Sequence, residues 1–345
     1  MMIVIAVMLA LLAFGRWRGW GGGRVAGAAA VVLTLVLAVL SLAPDSTLAR
    51  AIGGRPQHWA VAGGIVALML GYRALLAKLR ARARPLDTLA DAALPAVTDD
   101  ALTRYARHIV LREVGGPGQA RLRDARVLIV GAGGLGAPLC LYLAAAGVGR
   151  ITVADDDRVG ISNLQRQVIF RTSDEGRLKA EAAAEAMRAL NPLIEVTLHL
   201  DCITAADAAL VAGHDLVLDG TDSYASREGV NRACVAAGRP LLAGSLAQWE
   251  GQVTLYHPAA GAPCLACLFP RPPAPGLALD CAEAGVVGPL PGVIGSMMSL
   301  EAIKHLTGAG ETLAGRMLIF DGLHGDARTM RLHRDPACPV CSGTA

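Results

Sequence analysis

Apolar residues follow two different patterns along these 345 residues. Up to residue 77 they form long runs. Met1–Phe14 is uninterrupted, Val25–Ala43 has only Thr34 and Ser41 as polar members, and Trp59–Ala77 is broken only by Tyr72 and Arg73. Runs approaching 20 apolar residues predict membrane-spanning helices, expected here at about 1–15, 25–43 and 59–77. Residues 79–100, with a basic start and Pro85 and Pro95, read as a linker, and 101–345 as one domain.

In the body the apolar residues come in short blocks punctuated by glycine, proline and asparagine. Thr103–Leu111 predicts a short helix. Val127-Leu128-Ile129-Val130 predicts a strand, followed by a glycine turn, a helix over Pro138–Ala146 and a strand over Arg150–Ala154. A helix is expected over Glu175–Leu190, ended by Asn191-Pro192 because proline cannot continue it. Strands follow at Glu195–Leu200 and Leu216–Leu218. Strands alternating with helices mean a mainly parallel sheet. The second half reads differently, with strands at Leu241–Ala243, Gly251–His257 and Arg316–Asp321. Between the last two, Pro270–Gly292 is a long crossing without evident structure, and segments of that kind are usually functional.

Charge is divided unevenly. Residues 1–84 hold ten basic residues and one acid, Asp45, whereas 85–345 hold 22 basic and 28 acidic residues. The basic residues flank the first connection (Arg16, Arg18, Arg24) and follow the third run (Lys78, Arg80, Arg82, Arg84). By the positive-inside rule this predicts three spans in the inner membrane, the N-terminus outside and the body cytoplasmic. A cleaved signal peptide fits less well, because no charged region precedes the first run. The mildly acidic body offers no basic face for nucleic acid.

Two adjacent motifs carry the chemistry. Gly131-Ala132-Gly133-Gly134-Leu135-Gly136 follows a strand directly, so its N–H groups can receive phosphate at a helix start. Alone it is a weak signal whose usual reading is a nicotinamide or flavin dehydrogenase, with a ligand-free glycine turn as the alternative. Asp155, about 20 residues on, suits ribose hydroxyls in either case. The run Asn163-Leu164-Gln165-Arg166-Gln167 is more discriminating. Hydride transfer has no need of an arginine and two amides there, whereas cleavage of a triphosphate does. Farther on, Cys264-x-x-Cys267 and Cys338-x-x-Cys341 match a structural tetrahedral zinc site. Cys140, Cys202 and Cys234 read as inert core.

From about Arg104 to Cys341 the chain resembles the ThiF/MoeB/HesA family, bacterial relatives of ubiquitin-activating enzymes. The resemblance rests on Arg104-Tyr105-x-Arg107, Gly118-Gln119, the glycine loop, Ala146-Gly147-Val148-Gly149, Asn163–Gln167, Lys179, Thr221-Asp222, Glu250-Gly251-Gln252 and Cys281–Val286, in order. It implies an α/β fold: a Rossmann-like, doubly wound, mainly parallel sheet continued by an antiparallel part with the zinc site, preceded here by transmembrane helices. It also implies an adenylyltransferase that converts the C-terminal glycine carboxylate of a ubiquitin-like sulfur carrier (MoaD- or ThiS-like) to an acyl-adenylate, releasing pyrophosphate. A tRNA-base adenylating dehydratase and a non-catalytic scaffold are the alternatives.

The resemblance assigns roles to particular residues. Gly131, Gly133, Gly134 and Gly136 would meet ATP and Asp155 its ribose. Asn163, Arg166, Gln167 and Lys179 would hold the phosphates, and Asp222 would orient Mg²⁺. Arg107 would reach the nucleotide of a neighbouring subunit, implying a homodimer. Cys281 stands where some members form a covalent thioester or persulfide and others do not use the residue. The chain departs from the family at Met297-Met298, where Gln-Ala is frequent, and at Leu265-Ala266 between the first two zinc-type cysteines.

Overall fold

The computed structural model describes Val4, residues 22–53, scattered positions from 55 to 78, and residues 99–272 and 285–343. The chain divides into two compact units, Met1–Ala96 and Val97–Ala345.

In the first unit a helix over Gly22–Leu42 is followed by a short helix, Thr47–Ile52, capped by the Ser46 hydroxyl, which accepts the Ala49 N–H at 3.1 Å. Val36 and Leu40 pack with Ala49 and Ile52. Among the described residues no helix is long and apolar enough to cross a membrane. The expected transmembrane helices, the membrane anchor and the inner-membrane placement are corrected accordingly. Where the second span was expected, the apolar stretch ends at Leu42 in a turn, and part of its side-chain surface is used in helix–helix packing. The first expected span, apart from Val4, and most of the third lie outside the described residues.

The second unit is an α/β domain. Its helices are α1 (Asp99–Ile109), α2 (Gly115–Asp124), α3 (Gly136–Ala146), α4 (Lys179–Leu190), α5 (Ala208–Ala212), α6 (Tyr224–Ala237), α7 (Leu265–Leu268) and α8 (Pro289–Thr307). Its strands are β1 (Arg126–Val130), β2 (Arg150–Ala154), β3 (Glu195–His199), β4 (Leu216–Asp219), β5 (Leu241–Ala247), β6 (Glu250–Tyr256), β7 (Arg316–Asp321) and β8 (Asp326–Arg331). They form one eight-stranded sheet in the order β3-β2-β1-β4-β5-β6-β7-β8. The first five are parallel, and β6, β7 and β8 add antiparallel strands.

The unbroken apolar run of β1 follows from burial on both faces, as parallel sheets require. Val127 and Ile129 face one core cluster, with residues of α3, α4 and α8, while Leu128 and Val130 face the other, with Val230 and Ala233 of α6. The helix expected from Glu175 begins only at Lys179, because Gly176 has φ +81° and cannot continue a right-handed helix. Helix α8 starts in the last residues of the crossing segment and runs on to Thr307, through residues to which the sequence pattern assigns no element. It buries one face, but Val293 and Leu300 stand exposed while Ser299 and Glu301 are buried, so no amphipathic stripe marks it. Strand β8 is exposed at every position and therefore lacks the alternation that reveals a half-buried strand.

His214 links β2 to the turn after α5. Its Nδ1–H donates to the Leu210 carbonyl at 2.9 Å, leaving Nε2 to accept from the Thr152 hydroxyl at 2.8 Å. This arrangement uses the neutral ring, and burial holds its pKa below the usual value. Burial also lowers His257 and His305, whose ring centroids lie 6.2 Å apart. Below about pH 6.5 the unfolded chain takes up protons at these positions more readily than the native one, so stability falls with pH. Denaturation midpoints should thus be steady above neutrality and drop between about pH 6.5 and 5, with His214→Asn flattening part of the drop.

Candidate active site

Reading outward from β1, the strand order runs to β2 on one side and β4 on the other. Ligand sites of open α/β sheets lie at such a reversal, beyond the carboxyl ends of the strands. A cavity of about 970 Å³ opens there. It is lined by Gly131, Gly133 and Gly134 from the turn after β1, by Asp155 from the end of β2, and by Arg166, Gln167, Lys179 and Asp222. These residues are separated by up to about 90 positions in sequence, and the sheet brings them together.

The loop is built to be close. Gly131 has φ +86°, and a Cβ on Gly136 would stand 1.9 Å from the Gly131 carbonyl oxygen. Gly136 therefore serves the turn rather than the cavity lining. The Asp155 carboxylate accepts the Ala132 N–H at 2.7 Å through one oxygen and the Asp157 N–H at 2.9 Å through the other. Burial raises its pKa, while these two hydrogen bonds and the nearby Lys179 charge pull the other way. Lys179, the first residue of α4, is 6% exposed, and its Nζ donates to Asp157 Oδ2 at 2.7 Å. Asp157 is well exposed, so this partner can yield to another anion while the lysine stays in place.

Arg166 is half-buried against Gly134, and its Nη1 donates to the Ser162 carbonyl at 3.2 Å. Gln167 is buried beside Gly133 with its Oε1 unpartnered. Asn163 is turned away from the cavity, because its side-chain oxygen accepts the Gly160 N–H at 3.1 Å. Asp222 is exposed in the loop after β4. Arg107 is exposed on α1 and does not line this cavity. Its helix is anchored by Arg104, which donates to Leu190 O, and by Tyr105, which receives Asn191 Nδ2 at 2.8 Å. Cys281 lies outside the described residues.

Two cavity residues carry no signal in the sequence. Arg227 on α6 lines the wall at the ends of β4 and β5, where a single arginine in a polar helix has no distinguishing pattern. Cys202 is the other. The structure corrects its reading as inert core: it is exposed, lines the cavity, and its thiol donates to Asp156 Oδ1 at 3.3 Å. It follows a strand end, so the apolar residues before it do not enclose it. Cys140 and Cys234 are buried as expected, with burial pushing Cys140 up to about 12. Beneath the cavity floor Met298 fills the space behind Gly244, where a Cβ would stand 2.4 Å from the Met298 sulfur.

Just behind the cavity wall, which includes Leu265, the two C-x-x-C pairs meet. Cys264, Cys267, Cys338 and Cys341 hold their sulfurs within 4.8 Å of one another, with contacts of 3.9, 3.6 and 3.5 Å. Sulfurs about 2.3 Å from a tetrahedral zinc stand about 3.8 Å apart, so the four fit such an ion. Burial raises the pKa of the Cys264 thiol.

A sequence model of the ThiF family matches residues 105–340. The chain belongs to the ThiF family. It is 46% identical over 249 residues to a sulfur carrier protein adenylyltransferase of Thermus thermophilus, covering 71% of this chain and 92% of that protein. It is 46% identical over 248 residues to a probable adenylyltransferase/sulfurtransferase, MoeZ, of Mycobacterium tuberculosis, covering 71% and 63%. To the adenylyltransferase and sulfurtransferase MOCS3 of mouse it is 48% identical over 249 residues, covering 71% and 54%. The chain thus spans less than two thirds of these last two relatives. In solved structures it is similar in fold to E. coli MccB crystallised with ATP, with a TM-score of 0.61 and 24% identity over 70% of this chain and 75% of that one.

Among the described cysteines, Cys202 should react first with a maleimide. Asp156 holds its thiol pKa above the usual value, chiefly through their hydrogen bond, which keeps the thiolate fraction low. Asp156→Asn should therefore speed labelling, as read by peptide mass mapping.

Proposed function

We propose that this ThiF-family chain is an adenylyltransferase that activates the C-terminal glycine carboxylate of a ubiquitin-like sulfur carrier with ATP. The observation that carries this reading is the single cavity in which the glycine loop, Arg166, Gln167, Lys179 and Asp222 meet at the reversal of strand order. In the reaction a carboxylate oxygen attacks the α-phosphorus. The bond from that phosphorus to the bridging oxygen of the β-phosphate breaks, and pyrophosphate leaves with the electron pair. No proton need move, so catalysis rests on positioning and on charge stabilisation.

The loop N–H groups would meet the nucleotide phosphates, with Asp155 facing the ribose. Asn163 would act by holding the 160–163 turn, as its bond to Gly160 suggests. Arg166 and Lys179 would neutralise charge that grows on the phosphates, Lys179 exchanging Asp157 for phosphate. Asp222 would hold Mg²⁺, which supplies further charge neutralisation when bound. Arg107 would serve the nucleotide of the second subunit in a homodimer. Cys281 would act in a later covalent transfer and not in adenylation.

The four-cysteine cluster would hold a structural Zn²⁺. The sulfur spacing supports this, and so does the location of the cluster outside the cavity. The ion would join the segment after β6 to that after β8, which makes metal affinity part of folding stability.

Pyrophosphate exchange with a panel of Gly-Gly-ended carriers tests the reaction. Arg166→Ala should lower exchange by on the order of 10²–10³-fold while the melting curve is retained, and Cys281→Ala should leave exchange largely intact. The opposite pattern would reverse the two assignments.

Metal analysis should find about one zinc per chain. Cys338→Ala should lose the metal and the cooperative melting transition together; loss of metal with unchanged melting removes the structural role.

A further inference from the structure

Arg227 occupies a particular place in the cavity. Its Nη1 donates to the Gly244 carbonyl at 2.7 Å, and its Nη2 donates to the Thr221 carbonyl. These carbonyls belong to β5 and to the loop leaving β4, so they fix the plane of the guanidinium across the wall of the cavity. A guanidinium has five N–H donors, and two carbonyls leave donors to spare. Among the described residues no carboxylate pairs with Arg227, in contrast to Lys179, which Asp157 holds. Burial raises the pKa of the neighbouring Tyr256 phenol, so that group stays neutral and supplies no counter-charge.

A second observation comes from the adjacent strand. Thr254, 2% exposed, lines the same cavity with its Oγ1 unpartnered. It pairs with Ala243, the residue before Gly244. A buried hydroxyl without a partner is costly, and here it can accept a peptide N–H. The distance to the nucleotide end is short. A Cβ on Gly131 would stand 3.3 Å from the Thr221 nitrogen, so the glycine loop touches the residue whose carbonyl Arg227 holds.

Resting on the adenylyltransferase reading, we propose that Arg227 receives the terminal carboxylate of the carrier tail and positions it against the α-phosphate. Thr254 accepts an N–H of the same extended tail. Arg227 is the cation of the acceptor end, whereas Arg166 and Lys179 serve the phosphates. The attraction is directed at a free carboxylate, so an otherwise identical tail ending in an amide lacks it.

The test compares one Gly-Gly-ended carrier in two forms, terminal carboxylate and terminal amide, for binding to the full chain. Charge-assisted hydrogen bonds of this kind correspond to roughly 10–100-fold in affinity. The unmodified enzyme should prefer the carboxylate form by about that factor. Arg227→Gln should bind both forms alike and hold ATP as before, a combination that a purely structural arginine would not give. Should R227Q not fold, R227K carries the test. One ammonium cannot replace the planar fork on two carbonyls and a carboxylate together, so the preference should fall several-fold. An enzyme without the preference, or a variant that keeps it in full, overturns the role of Arg227. Failure to bind either form of any carrier in the panel strikes instead at the adenylyltransferase reading, and a lack of ATP–pyrophosphate exchange would confirm that.

Discussion

The Ala132 N–H lies 2.7 Å from Asp155 Oδ2, and this contact ties the turn after β1 to the end of β2. Two backbone bonds reinforce it: Gly131 N–H donates to Ala154 O at 2.8 Å and Gly220 N–H to Val130 O at 2.9 Å. Three strand ends are thereby drawn around one turn, which only a residue without a Cβ can make at Gly136. The close turn starts α3 directly above β1, and α3 in turn gives α8 a surface to pack on. The position of the cavity, the exposure of the loop N–H groups and the approach of Arg166 all depend on this one constraint.

Charge in the cavity is sorted between its walls. Asp155, Asp156 and Asp157 stand at the end of β2, and Arg227 stands across from them at the ends of β4 and β5. Keeping Asp155 ionised while buried is unfavourable, and the two backbone N–H groups and Lys179 offset part of that cost. The acids therefore serve the architecture as well as any ligand. Asp157 in particular keeps a nearly buried ammonium compensated until a phosphate takes its place.

The parallel half of the fold was legible because its determinants are local. Val127–Val130 reads as a doubly buried strand, the glycines mark the turn, and Asn191-Pro192 marks the end of α4. The paired cysteines were legible because their spacing sets a ligand geometry regardless of the intervening chain. What remained hidden depends on tertiary placement. Arg227 is one arginine among many until β4 and β5 bring their carbonyls to it. Cys202 resembles a core cysteine until the end of β3 delivers it to the cavity rim. The apolar leader was misread for a related reason: a run of apolar residues states that surface must be buried, and the Val36–Ile52 contacts show helix packing as one answer. Helix α8 buries Ser299 and Glu301 and exposes Val293 and Leu300, so its sequence lacks the apolar stripe by which helices are recognised.

The Gly244–Met298 contact has a consequence for how this chain can diverge. A side chain at 244 and a long side chain at 298 compete for one volume, since a Cβ would come within 2.4 Å of the sulfur. The two sites are therefore sterically coupled, although 54 positions separate them. Alanine in place of Met298 would remove the 2.4 Å clash and leave Leu135 Cδ1, 3.4 Å away, as the neighbour of a Cβ at 244. Grafting a β5 that carries a side chain at 244, without its α8, would place a clash beneath the carbonyl that Arg227 holds. In this chain β5 and the helix behind it can therefore be exchanged only together.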